Sequence, residues 1–316
     1  MNEGPLPPLP RGSVVTVGSF DGVHLGHRAV LDEIAARARS AGRASVLVTF
    51  EPHPLMVVNP PAAPPLLTTE PERREILAQT ALDYALVLRF DRWLASLEPE
   101  DFVRRMLRGR AQMQELVIGY DHGFGRGRRG DVTMLRRLGA EDGFAVDVVG
   151  PVDLDGQAIS STRIRRAIAG GDLPGAARML GRPYSITGIV GAGEQRGRQL
   201  GVPTVNLSEL PPHKLLPPDG VYAVRVEWRN GRANGMMNQG PRPTFGEERR
   251  VLEAHLFDFA GDLYGEWVRI EWVERLRDVR RFASAEELQV QLQHDRTRAQ
   301  AALAIGQSNP NGVFHA

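Results

Sequence analysis

The chain contains no cysteine, which excludes disulfides, thiolate catalysis, Cys-based zinc sites and iron–sulfur clusters. Lysine is nearly absent too: Lys214 is the single lysine among 39 basic residues. A P-loop requires G-x-x-x-x-G-K-[ST], so no such motif exists here, and phosphate must be handled by arginine, histidine, backbone N–H groups or metal. The 38 acidic residues nearly cancel the basic ones, leaving a formal net charge of +1. That balance carries no electrostatic footprint for nucleic acid. No apolar run reaches the ~18 residues that span a bilayer. The opening MNEGPLPPLPRG has proline where a signal peptide would have its apolar core. The expectation is a cytoplasmic protein with neither nucleic acid nor membrane as partner.

What is present points to two domains, because a chain of 316 residues exceeds the usual reach of a single core. The first half alternates strand and helix. Strands are expected at 13–17, 44–50, 84–90, 115–119 and 145–149, and helices at 27–41, 71–81, 100–107 and 134–139, with a proline-rich loop over 52–65. Such alternation predicts a doubly wound α/β domain with a parallel sheet. Two further helices are expected at 161–169 and 173–180. Then short β-type segments follow at 185–190, 220–228, 232–238, 251–259 and 267–273, and a helix at 286–305 closes the series. Their roughly even spacing predicts a small antiparallel β-barrel with a C-terminal helix. The boundary is placed near Gly181, giving domains 1–180 and 181–316.

Between the first strand and first helix lies GSFDGVHLGH, Gly18 to His27. The carboxyl end of a parallel strand is where α/β sheets bind nucleotides, and the helix N-terminus adds N–H donors for phosphate. His24 and His27 can approach one phosphate chain, and Gly26 admits a nucleotide close to the backbone. Alone, two histidines three apart also fit a surface or metal-binding pair. The strand, the glycines and the helix start in register favour phosphate. Gly18, Phe20, Asp21, Gly22 and Gly26 are the expected nucleotide contacts around them.

This segment resembles the HxGH nucleotidylyltransferases, and more closely the G-[NS]-F-D-G-V-H-x-G-H signature of the bacterial bifunctional riboflavin kinase/FAD synthetase family. FEPHP, Phe50 to Pro54, resembles that family's F-x-P-H-P. GYDHGFG, Gly119 to Gly125, is similar to its G-x-[DN]-F-x-F-G, with His122 where the motif has phenylalanine. ISSTRIR, Ile159 to Arg165, matches I-S-S-T-x-x-R. The resemblance implies adenylylation of FMN to FAD. His24 and His27 would donate to phosphate oxygens, and Ser161, Thr162 and Arg165 would hold the terminal phosphates of ATP. Asp121 would contact the nucleotide or flavin, and Phe50, Pro52 and His53 would border the flavin. Ser161 and Thr162 equally suit a plain helix cap, and Phe50 a core strand position. FMN arrives already ionised, so alignment and charge stabilisation suffice.

From Gly188 to Asn206 the chain is too glycine-dense for a regular interior. Such a loop can be an ordinary hairpin or can wrap phosphates with Gly191, Gly193, Gly197 and the charges of Arg196 and Arg198. Its end, PTVN over Pro203 to Asn206, resembles the P-T-A-N motif of riboflavin kinases, with Val205 in place of alanine, a small enlargement that is tolerated if it points away from the nucleotide. NQGPRPTF from Asn238 and LEAHLFDF from Leu252 match further blocks of that family. By resemblance, Glu253 accepts the proton of the riboflavin 5′-hydroxyl, while Thr204 and Asn206 hold Mg²⁺ with ATP. On spacing alone Glu253 reads as an exposed strand residue between Leu252 and Ala254. The resemblance extends over roughly residues 13–303. It implies riboflavin, FMN and ATP as small-molecule substrates and leaves the oligomeric state open. A chain with one surviving activity, or a nucleic-acid-binding protein on the same folds, are the competing readings.

Overall fold

A computed structural model of the chain describes residues 6–120, 130–191, 204–244 and 247–305. Its contacts group into two units, Met1–Ser161 and Thr162–Ala316.

The first unit runs β1 (Ser13–Val17), α1 (Leu25–Ala41), β2 (Ala44–Glu51), α2 (Pro54–Val58), α3 (Glu70–Ala78), β3 (Tyr84–Arg89), α4 (Arg92–Ser96), α5 (Pro99–Phe102), β4 (Met113–Gly119), α6 (Val132–Asp142) and β5 (Ala145–Val149). The hairpin β6–β7 (Asp153–Leu154, Gln157–Ala158) follows. β1 is buried along its whole length, as a central parallel strand must be. The sheet is parallel, in the order β3-β2-β1-β4-β5. Alternation divides its side chains between two cores. Val14, Leu47 and Val117 meet Leu31, Ile34 and Ala38 of α1 and Ile76 of α3 on one face. Val15, Val17, Val48, Leu86 and Ile118 meet Phe102, Leu107 and Leu135 on the other. Each such aliphatic side chain, fully buried, contributes about 1.5–3 kcal/mol. Helices on both faces make the domain doubly wound, as expected.

Local differences from the sequence reading have identifiable causes. The proline-rich stretch expected as loop contains α2, because Pro54 opens a helix at its first position and the His53 imidazole accepts from Leu55 N–H at 3.3 Å. The helix expected over 100–107 is α only to Phe102. From Val103 to Arg110 it widens to π winding, ending with Ala111 N–H on the Met106 carbonyl at 3.0 Å. That winding keeps Val103, Met106 and Leu107 buried. The β6–β7 hairpin turns on Asp155-Gly156, both left-handed (φ 56° and 73°), the combination a two-residue turn demands.

The second unit opens with α7 (Ser161–Ala169, its first residue at the unit boundary) and α8 (Leu173–Leu180). It continues with β8 (Tyr184–Gly191), β9 (Thr204–Leu207), β10 (Gly220–Trp228), β11 (Gly231–Thr244), β12 (Glu247–Leu256), β13 (Trp267–Arg277) and α9 (Ala285–Ile305). The strands close a barrel in the order β10-β11-β12-β9-β8-β13 through antiparallel pairs. Tyr222, Val224, Met237, Ala254, Ile270 and Trp272 are almost wholly buried, and β-strand alternation places them on the inner face. Trp272 donates to Gln239 Oε1 at 3.1 Å, and Gln239 in turn donates to the Pro217 carbonyl, so the buried polar atoms find partners. Outside, Ala299 and Leu303 of α9 cover Val221, Ala223 and Met236. β11 runs well past Asn238 despite Pro241 and Pro243. Beyond Gln239 its pairing with β10 has ended, so the prolines' missing donors can face an open edge.

Candidate functional site

In the first unit the strand order reverses between β1 and β4, the position at which open α/β sheets bind ligands. The loop from Gly18 to His24 fills that point. Three of its residues have left-handed φ: Phe20 at 49°, Gly22 at 85° and Val23 at 36°. For a β-branched valine this is strained backbone, of the kind that persists where the surroundings over-determine it. Those surroundings are identifiable. The Asp21 carboxylate, 1% exposed, accepts from the N–H groups of Leu67 (2.9 Å) and Thr68 (2.9 Å) and from the Thr68 hydroxyl (3.1 Å). Gly22 N–H donates to Thr68 Oγ1 at 3.0 Å. Both oxygens of Asp21 are thus engaged inside the protein, and the residue anchors the loop.

That anchoring presents the two histidines. His24 caps α1 by accepting from His27 N–H at 3.2 Å. The imidazoles stack with ring centroids 3.7 Å apart and 15° between planes, and Phe20, 5% exposed, backs His27 at 4.5 Å. A Cβ on Gly26 would lie 3.2 Å from His24 Cε1 and Nδ1, so the glycine makes room for the imidazole. A Cβ on Gly18 would similarly press on the Phe20 ring at 3.1 Å. Two stacked ring edges beside a helix N-terminus form a donor set suited to phosphate oxygens.

The other expected residues of this site divide. Ser161, the last residue of the first unit, donates its hydroxyl to the Asp21 carbonyl at 3.0 Å. Thr162 and Arg165 lie on α7, in the second unit. Phe50 is 7% exposed and packs edge-on against Phe90 at 5.4 Å, within the core. Pro52 follows a cis peptide bond, and His53 is buried as the cap of α2. Asp121 lies outside the described residues, as do Gly193, Arg196, Gly197 and Arg198.

On the barrel, the register of β9, β11 and β12 decides which side chains share a face. Glu253 stands opposite Asn206 on one side and Asn238 on the other; His255 stands opposite Thr204 and Met236. Directly opposed residues in an antiparallel pair project to the same side, with Cα atoms about 4.5–5.5 Å apart. Thr204, Asn206, Glu253 and His255 therefore form one polar face, half-buried, while the intervening Val205 and Ala254 point into the barrel. Val205 thus faces away from Thr204 and Asn206, which meets the condition for tolerating the larger side chain. Gly191 pairs with Asn206 at the end of β8, and a Cβ there would lie 2.7 Å from Ser208 Cβ.

Sequence reasoning missed β9 as a strand, and with it His255 and Asn238 as neighbours of Glu253. It also missed Thr68 and Arg73. The Arg73 guanidinium, from α3, donates to the carbonyls of Phe50 (3.0 Å) and Ser19 (3.4 Å) and to the Glu51 carboxylate (2.7 Å). A capping box, Thr69 with Glu72, marks that helix start in the sequence, yet nothing local marks its arginine as a loop contact.

Comparison with known proteins gives these arrangements a lineage. A family model described as FAD synthetase matches residues 6–163, and one described as riboflavin kinase matches residues 180–303. A bifunctional riboflavin kinase/FMN adenylyltransferase of Pseudomonas fluorescens is 39% identical over 300 residues, covering 95% of this chain and 96% of that protein. Its counterpart from Escherichia coli K12 is 38% identical over 289 residues, covering 91% and 92%. A crystal structure described as a macrolide-efflux protein from Streptococcus pneumoniae superposes with a TM-score of 0.83 at 32% identity, over 92% of this chain and 94% of that one. Among the described residues no helix is long and apolar enough to cross a membrane. The chain belongs to the bifunctional riboflavin kinase/FMN adenylyltransferase family.

Proposed function

We propose that the chain converts riboflavin to FMN on the barrel and FMN to FAD on the α/β unit, using one ATP for each step. The observation that supports this is the presence, in one chain, of stacked imidazoles at a sheet's switch point and a carboxylate–threonine–asparagine face on a closed barrel. Domain limits of 1–180 and 181–316 go with this division. α7 and α8 fill most of the interval between the two matched stretches.

In the kinase step the riboflavin 5′-hydroxyl is neutral and needs a proton acceptor as its oxygen attacks the γ-phosphorus. Glu253 takes that proton, the bond from the γ-phosphorus to the β–γ bridging oxygen breaks, and ADP leaves. The Thr204 hydroxyl and the Asn206 amide oxygen are hard, uncharged donors. They suit Mg²⁺, which takes few protein ligands and completes its shell with water and phosphate. Magnesium bound with ATP supplies neutralisation of the phosphate charge. The glycine-rich stretch containing Gly191, Gly193, Arg196, Gly197 and Arg198 is assigned to the phosphates by its sequence, since glycine backbone N–H groups and guanidinium charge suit them.

In the adenylyl step an FMN phosphate oxygen attacks the α-phosphorus of ATP and pyrophosphate departs, so no base is required. His24 and His27 donate to the phosphate oxygens on which charge accumulates. Ser161, Thr162 and Arg165 are assigned to the departing phosphates by their sequence motif, and Asp121, Pro52 and His53 to the flavin side. Asp21, Gly22, Phe20, Gly18 and Gly26 keep the imidazoles in place. The test is chromatographic analysis of flavins after incubating pure protein with riboflavin, ATP and Mg²⁺. FMN should appear first and FAD after it. Omitting Mg²⁺ should abolish the first product; unchanged FMN formation in chelator would remove the metal from the kinase site.

A further inference from the structure

One buried guanidinium ties together the two loops that follow adjacent strands of the sheet. Arg73 is 3% exposed. Its partners Ser19, Phe50 and Glu51 lie at the carboxyl ends of β1 and β2 or just beyond. Ser19 opens the loop that carries His24, and Glu51 directly precedes Pro52 and His53. Burying an arginine is costly unless its hydrogen bonds are met, and an apolar side chain would fill the same space more cheaply. What the charge supplies is a planar fork that holds two carbonyl oxygens and a carboxylate at once. We propose that Arg73 is a positioning residue for adenylyl transfer, setting the separation between the imidazole pair and the loop that starts at Pro52. The inference rests on the adenylyl-transfer reading of the first unit.

A displacement of the reacting groups by ~1 Å costs about 10²-fold in rate without a matching loss of binding. Arg73→Met should therefore lower kcat for FAD formation from FMN and ATP about 10²-fold, with KM for ATP changed less than about threefold. Arg73→Lys keeps the charge for Glu51 but cannot span both carbonyls, so its kcat should fall between the two. Riboflavin phosphorylation by the same molecules should be unaffected and reports that the rest of the chain is folded. If Arg73→Met unfolds the first unit, the lysine variant decides alone: lowered kcat at unchanged KM supports positioning. Wild-type kcat in either folded variant, or a rise in KM with kcat intact, would overturn the proposal while leaving the adenylyl-transfer reading in place. No FAD formed by the wild type would remove that reading instead.

Discussion

Glu253 of β12 lies directly opposite Asn206 of β9, and Thr204 lies two residues along on the same face. A carboxylate and two neutral oxygen donors are thus brought together by strand register alone, from segments nearly fifty residues apart in sequence. A one-residue slip of β9 would turn Thr204 and Asn206 into the barrel and bring out Val205 instead, leaving Glu253 without either.

Replacing the carboxylate by its amide tests the proton acceptor. Glu253→Gln should reduce FMN formation from riboflavin by about 10²–10⁴-fold, the usual worth of a general base. FAD synthesis from supplied FMN should be unchanged. Retained kinase turnover would remove Glu253 from its role.

The imidazole pair makes the converse prediction. His27→Ala should depress FAD formation by about 10²-fold or more, on the scale of losing one transition-state donor, while FMN formation continues. Parallel loss of both rates, measured on one preparation, would contradict separate sites.

Gly26→Ala separates catalysis from stability. The added Cβ would sit 3.2 Å from the His24 ring, so the imidazole must shift. Alanine is otherwise the better helix former by about 1 kcal/mol. The variant should melt no lower than wild type yet lose about 10-fold in FAD-forming kcat. Unchanged kcat would show that the contact does not set the imidazole.

The C-terminal helix is held to the barrel by Arg277, which donates to the fully buried Asp295 carboxylate at 2.7 and 2.9 Å. Arg277→Ala leaves that carboxylate with Gln291 and no counter-charge, at a cost of about 3–5 kcal/mol. Urea inactivation of FMN formation should occur at distinctly lower concentration. An unchanged midpoint would show the pair to be dispensable.

Burial, reinforced by Glu227, holds the Glu271 carboxyl above its ordinary value of 4.5, against the opposing pull of Arg225, Arg269 and Arg232. Raised in the folded state, this group favours folding fully only below about pH 4.5. The contribution is lost as pH rises through the folded value. Glu271→Gln, which stays neutral, should gain in melting temperature over wild type as pH rises from 4.5 to neutrality. A gain independent of pH would contradict this.

Much of the fold was legible because the informative signals are local. Ser13–Val17 is a short apolar run closed by glycine, and Leu25–Ala41 has its apolar stripe and a glycine stop. The histidine pair was legible for the same reason, since a strand end, glycines and a helix start occupy one contiguous segment. β9 was not, because four residues after a proline become a strand only when β8 and β12 pair with them. The internal role of Asp21 was hidden likewise, since its partners are N–H groups some 46 residues away. Arg73 gave no sign because two of its partners are backbone carbonyls, which no residue type advertises.

Mixing the two single-site variants tests the central claim most directly. Glu253→Gln alone should make no FAD from riboflavin, and His27→Ala alone should stop at FMN. Combined with riboflavin, ATP and Mg²⁺ in one vessel, they should restore FAD, as FMN released by one molecule is adenylylated by the other. A mixture as inactive as its components would contradict the account of two independently working centres in one chain.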